Sequence, residues 1–275
     1  MSGEGKLKWG NIILGLVLWI ISLIIIIPMV LIVLGSLKNP VEAADMALSF
    51  PSKWEFSNYS FAFTEGKMAR AFINSVLITT FSVILTVMFS AACGYVISRR
   101  KKKATKRIYK YIFIGMVAPY QIVTTFILFK WLHISGYLAV ILLFIAINIP
   151  FSTILFEGFI KTIPSDIDES AALDGCGALR TFLCVIFPLM KPVTMTCTIT
   201  VAIAVWNEFM IPLYLLSSSK YWTLPLTVYN FFGQYSSNWN YVFANMVICS
   251  LPMVLLYAFL QKYIIAGMTA GAVKG

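Results

Sequence analysis

Groups able to do covalent chemistry are scarce in this chain. Its 275 residues hold one histidine, five cysteines and 11 acidic residues. His133 alone cannot build a metal site or a catalytic triad, and it reads as a structural residue at an interface. Cys93, Cys176, Cys184, Cys197 and Cys249 form no C-x-x-C pair, so neither zinc nor disulfides are expected and they read as small apolar filler. There is no G-x-x-x-x-G-K-[ST] loop to cradle the phosphates of ATP, no H-E-x-x-H and no G-x-S-x-G. No catalytic residue, metal or bound cofactor is assigned, and any power stroke must come from a partner.

The carboxylates are distributed unevenly. Asp166, Asp168, Glu169 and Asp174 lie within nine positions, in S-D-I-D-E-S-A-A-L-D-G. This charged island predicts a short helix. Pro164 ends the segment before it, Ser165 suits an N-cap with Asp168 three residues on, and acids in the first turn suit the helix dipole. Gly175 falls where a left-handed C-terminal cap is needed. Ser170, Ala171 and Ala172 give a surface of little bulk that another protein could approach closely. A second short helix is expected from Ala178 until Pro188 and Pro192 break it. On spacing alone, a solvated loop with a stray helix reads equally well.

One carboxylate, Glu208 in A-V-W-N-E-F-M-I-P, falls deep in an apolar stretch. An ionised acid at a span's centre costs about 3 kcal/mol on insertion scales. Either Trp206, Asn207 and Glu208 face a translocation path or subunit interface, or Glu208 sits near the outer interface, satisfied by Asn207 or backbone donors.

The elements that must carry these residues are membrane helices. Hydrophobic residues make up 60% of the chain and charged residues 12%, against roughly 25% charged in a soluble domain. Six spans are expected near residues 12–34, 72–97, 108–128, 137–156, 193–216 and 241–263. The first is too long for a signal-peptide core and lacks a small-residue cleavage site, so a retained span bent at Pro28 is expected. The second carries Asn74, Ser75, Thr79, Thr80, Ser82, Ser90 and Gly94, residues that favour close packing and interhelical hydrogen bonds.

Net charge is +10. Arg99, Arg100, Lys101, Lys102, Lys103, Lys106, Arg107 and Lys110 form one run between two apolar stretches. With no interleaved aromatics and no soluble domain to present it, this run follows the positive-inside rule rather than marking nucleic-acid binding. With both termini inside, Lys6, Lys8, that run, Lys161, Arg180, Lys191, Lys262 and Lys274 give 15 inner basic residues. Lys38, Lys53, Lys67, Arg70, Lys130 and Lys220 give 6 outer ones. Both termini are therefore expected to be cytoplasmic.

Residues 217–240 form an outer loop rich in Tyr, Trp, Asn and Gln with a single charge. The mixture suits a membrane interface or a carbohydrate and protein contact surface. Asn230, Gly233, Gln234 and Tyr235 have the composition of an exposed turn.

The sequence Glu169-Ser-Ala-x-x-Asp174-Gly175, with Pro188 thirteen residues after the glycine, resembles the "EAA" loop of ABC-importer permeases. Ser170 and Phe187 replace the usual Ala and Leu, both mildly. W-N-E-F, Leu224-Pro225 and the ending A-G-A-V-K-G extend the likeness from about residue 72 to 275, in matching order, to the second permease subunit of carbohydrate ABC importers of the maltose type. That resemblance implies an all-α, six-helix MetI-like permease fold in the cell membrane. It implies a tail, first span and outer loop over 1–71, a permease core over 72–265 with a coupling loop at 161–190, and a cytoplasmic tail over 266–275.

It also implies a second permease as heterodimer partner, two ATPase subunits that hold ATP-Mg, and an extracytoplasmic solute-binding protein. Asp168, Glu169, Ser170, Ala171, Asp174, Gly175 and Pro188 would then couple to the ATPases. Asn230, Gly233, Gln234 and Tyr235 would contact the binding protein, and Gly271, Val273 and Lys274 would reach the ATPase interface. The implied function is sugar import by alternating access, with an oligosaccharide as the expected cargo. A polyol or glycerol-phosphate-like solute is the alternative. An ion-coupled secondary transporter would need paired broken helices and more intramembrane charge.

Overall fold

The computed structural model describes residues 9–100, 102–231 and 238–272. Regular structure among them is helical throughout. In chain order it comprises α1 (Trp9–Gly35), α2 (Pro40–Ala44), α3 (Ser57–Glu65), α4 (Met68–Arg99), α5 (Lys103–Val117), α6 (Ile122–Trp131), α7 (Gly136–Ile160) and α8 (Asp166–Leu173). These are followed by α9 (Ala178–Leu189), α10 (Lys191–Asn207), α11 (Met210–Leu215) and α12 (Trp239–Ala272). Two 3-10 stretches, Ser219–Tyr221 and Leu224–Phe231, precede α12.

Among the described residues, four helices are long and apolar enough to cross a bilayer: Ile13–Gly35 within α1, α4, α7 and Trp239–Phe259 within α12. Two bent pairs, α5 with α6 (119°) and α9 with α10 (80°), raise the candidate spans to as many as six if each pair is one span. The chain is thus a multi-pass membrane protein with an all-α fold.

Two expected spans are not single helices. The third breaks at 118–121, where Ala118 turns extended at φ −67°, ψ 121°. Pro119 follows, and a residue before proline is pushed out of the helical region. The fifth ends at Asn207. Glu208 is extended at ψ 127°, because the Pro212 ring excludes a helical carbonyl four residues earlier. At the other end of α9, Pro188 does not stop the helix. The turn before it widens into π-helical geometry over Thr181–Ile186, which removes the clash with the carbonyl at 184. The break falls instead at Met190, ahead of Pro192. The backbone of α12 continues to Ala272, so a helix occupies most of the stretch expected as a tail.

The chain divides into two compact units, Met1–Ala69 with Thr227–Ser250, and Arg70–Leu226 with Leu251–Gly275. In the first, Ala62, Phe231, Val242 and Ala244 form a small core. Lys38 is only 1% exposed, and its ammonium donates to the Ala47 carbonyl at 2.6 Å and the Ser49 hydroxyl at 3.1 Å. Asn58 ties the same turn together, donating to the Ser36 and Lys38 carbonyls at 2.9 Å each. A buried cation is tolerated only when its protons are taken up in this way.

The second unit holds the main core, drawn from α4, α7, α9, α10 and α11. At Gly94 a β-carbon would meet Phe156 Cβ at 2.9 Å and Glu157 N at 3.0 Å. Glycine there lets α4 and α7 approach backbone to backbone.

Candidate functional site: an acidic surface helix held by a membrane helix

Three acids stand in the first turn of α8, where the helix dipole favours them. The expected capping box does not form. Ser165 is helical at φ −68°, ψ −22° and makes no side-chain cap bond, because the Asp168 carboxylate is drawn elsewhere. Tyr95 donates to its Oδ1 at 2.6 Å, and the Arg99 guanidinium lies 2.9 Å from its Oδ2. Arg99 also donates to the Ile163 carbonyl at 3.0 Å. Tyr95 and Arg99 are four residues apart, hence on one face of α4. Behind them the rings of Tyr95 and Phe182 lie 5.4 Å apart and those of Phe182 and Phe187 6.0 Å apart. The end of α4 thus grips α8 and is packed on α9.

The C-terminus of α8 follows the sequence. Gly175 adopts φ +80°. Its N–H donates to the Ala172 carbonyl at 3.0 Å and the Cys176 N–H to the Ala171 carbonyl at 2.9 Å, the paired closure of a Schellman cap. The Ser170 hydroxyl donates back to the Asp166 carbonyl at 2.8 Å, which leaves a small surface with no free donor. Ala171 is buried, whereas Glu169, Ser170, Asp174, Gly175 and Pro188 are exposed.

Sequence reasoning passed over Leu173 and Leu179, which are 89% and 71% exposed. Two bare leucines within a charged loop were the available signal. It also passed over Glu157, a second carboxylate in apolar surroundings, 6% exposed in α7 and paired with Lys161 one turn on. The i, i+4 spacing of opposite charges was its signal.

The second candidate group is dispersed. Trp206 is 4% exposed and packs edge-on against Phe72, ring centroids 5.9 Å apart. Asn207 is exposed. The Glu208 carboxylate accepts from the Met210 and Ile211 N–H groups at 2.9 and 3.2 Å. It caps α11 across the break, the backbone-donor arrangement.

The loop after α11 is fastened to the start of α4. Asn74 donates to the Lys220 and Trp222 carbonyls at 3.1 and 2.9 Å and accepts from the Tyr137 hydroxyl at 2.7 Å. Ser75 accepts from the Leu224 N–H at 2.7 Å. Further on, in the first unit, Asn230 donates to the Gly66 carbonyl at 3.1 Å and Asn240 to Asn58 at 2.9 Å. Asn240 is buried, whereas Asn230 stays exposed at the surface. Gly233, Gln234 and Tyr235 lie outside the described residues, as do Val273 and Lys274; the Gly271 backbone lies in α12.

An acidic surface helix held by the end of a membrane-length helix is a face at which another protein can dock. Residues 86–270 match the family described as "Binding-protein-dependent transport system inner membrane component", and the chain belongs to that family.

The chain is 32% identical to the probable starch degradation products transport system permease protein AmyC of Thermoanaerobacterium thermosulfurigenes, over 93% of this chain and 94% of the relative. It is 33% identical to the multiple sugar-binding transport system permease protein MsmG of Streptococcus mutans, over 92% and 93%. It is also 33% identical to the melibiose/raffinose/stachyose import permease protein MelC of Bacillus subtilis, over 90% and 91%. A bacterial ABC transporter involved in the import of the acidic polysaccharide alginate shares the fold. Its TM-score is 0.81 at 19% identity, over 96% of this chain and 99% of that one.

Proposed function

We propose that this chain is the permease subunit of an ATP-driven importer that carries a sugar, with an oligosaccharide as preferred cargo, across the cell membrane. The relatives' names support the solute class. The observation that carries coupling is the two-sidedness of α8. Its Asp168 is held from within by Tyr95 and Arg99, while Glu169 and Leu173 face outward.

In this reading α8 is the coupling helix. An ATPase groove receives Glu169, Ser170 and Leu173, Gly175 shapes the turn behind them, and Asp168 acts as the anchor rather than as part of the docking face. A second permease completes the pathway, two ATPases hold ATP-Mg, and a solute-binding protein delivers the sugar at the opposite surface, where Asn230 to Tyr235 meet it. Both termini are cytoplasmic, and Gly271, Val273 and Lys274 reach the ATPase interface. Trp206, Asn207 and Glu208 line a path or subunit contact in this reading, with Asn207 exposed and Glu208 half-buried.

The test is uptake by proteoliposomes holding the assembled transporter, with ATP inside and binding protein outside. Oligosaccharide accumulation that needs both supports the reading. Accumulation driven by an ion gradient without ATP contradicts it.

A further inference from the structure

The exposed face of α5 changes character abruptly along its length. Lys103, Lys106, Arg107 and Lys110 are all exposed, and at 3.6 residues per turn they fall within one arc of about 100°. Toward the C-terminus the outward surface becomes apolar, with Tyr111, Ile114 and Val117 at 79%, 63% and 69% exposure. The opposite side, at Thr105, is buried.

The cations are badly placed by the helix's own electrostatics. Lys103 and Lys106 stand in its first turn, where the dipole disfavours positive charge. Lys103 with Arg107, and Lys106 with Lys110, are like-charge pairs at i, i+4. The first turn contains no acid, and none of the ion pairs among the described residues includes these four. Such an arrangement gains from an anion supplied from outside the chain. The step from charge to apolar surface on one helix face matches a membrane interface. It is the boundary between headgroups and acyl chains, where a phosphodiester can sit against the helix N-terminus while its tails lie along Ile114 and Val117.

We propose that the N-terminal two turns of α5 form a binding site for anionic glycerophospholipid headgroups. The proposal depends on membrane insertion alone and stands or falls independently of which solute is carried. The continuous apolar extension of the same face favours lipid over a protein groove, since a soluble subunit would meet the cations without the adjoining acyl-depth surface.

The test is native mass spectrometry of the full-length protein, and of the assembled transporter, released from membranes of equal parts phosphatidylglycerol and phosphatidylcholine. Retained phosphatidylglycerol is expected to exceed phosphatidylcholine. In Lys106→Gln/Lys110→Gln, which leaves the rest of the basic run to fix topology, the enrichment should fall roughly tenfold. Lys106→Arg/Lys110→Arg should preserve it. Equal retention of the two lipids by the parent, or enrichment unchanged in the Gln variant, overturns the proposal. Enrichment present in the lone subunit and absent from the assembled transporter overturns it too, by showing that a protein covers the face.

Discussion

Arg99 at the end of a membrane helix lies 2.9 Å from Asp168 in the first turn of the surface helix α8. The Tyr95 hydroxyl holds the other carboxylate oxygen at 2.6 Å. The pair is mostly shielded, with side-chain exposures of 17% and 18%. The two contacts tie the first turn of α8 to the end of α4.

Removing one partner leaves the other uncompensated. Arg99→Met should cost about 1.5–3 kcal/mol locally, leave the subunit in the membrane, and reduce sugar moved per ATP hydrolysed. Arg99→Asp combined with Asp168→Arg should recover part of that ratio, which a merely structural loss would not. Parallel uptake and hydrolysis assays in proteoliposomes measure it.

Gly175 needs its positive φ, not space. A β-carbon there meets nothing within 4 Å, so the penalty is conformational, about 1–2 kcal/mol for an ordinary residue. Gly175→Val should weaken co-purification of the ATPase while membrane abundance holds. Gly175→Asn should be tolerated, because asparagine accepts the left-handed region. Equal loss in both variants would indicate a steric role instead.

Asn74 fixes the loop around Lys220 through two carbonyls. Asn74→Ala leaves those acceptors and the Tyr137 hydroxyl without this partner, at a cost of about 1–3 kcal/mol. The loop should loosen, and trypsin should cut after the exposed Lys220 faster than in the parent. Unchanged cleavage would mean that the Ser75–Leu224 bond suffices alone.

Much of the fold is legible in the sequence because lipid demands long apolar runs. The runs for α1, α4, α7 and α12 stand out, as do the acidic cluster of α8 and the glycine that closes it. The breaks at Pro119 and Pro212 are less legible. A proline within an apolar stretch can bend, widen or end a helix, and neighbours choose among these: Pro188 widens α9, whereas Pro119 stops α5. The fate of Asp168 is illegible locally. Its partners lie some seventy positions earlier on α4, in a stretch whose arginine the membrane-charge rule already explains. The local partners of Glu208 are illegible for a related reason. A carboxylate in an apolar segment suggests a pathway, yet two backbone N–H groups at a helix break satisfy it.

In the proposed function the outward face of α8 couples ATP hydrolysis to transport. The most direct measurement of that coupling is the ratio of oligosaccharide imported to ATP hydrolysed in proteoliposomes carrying Glu169→Lys, with Leu173→Asp alongside. Neither residue belongs to the anchor, so the subunit should insert at parental abundance. ATP hydrolysis should lose its dependence on loaded binding protein, and import should fall at least tenfold. Parental import and stimulation in both variants would contradict the coupling role of α8.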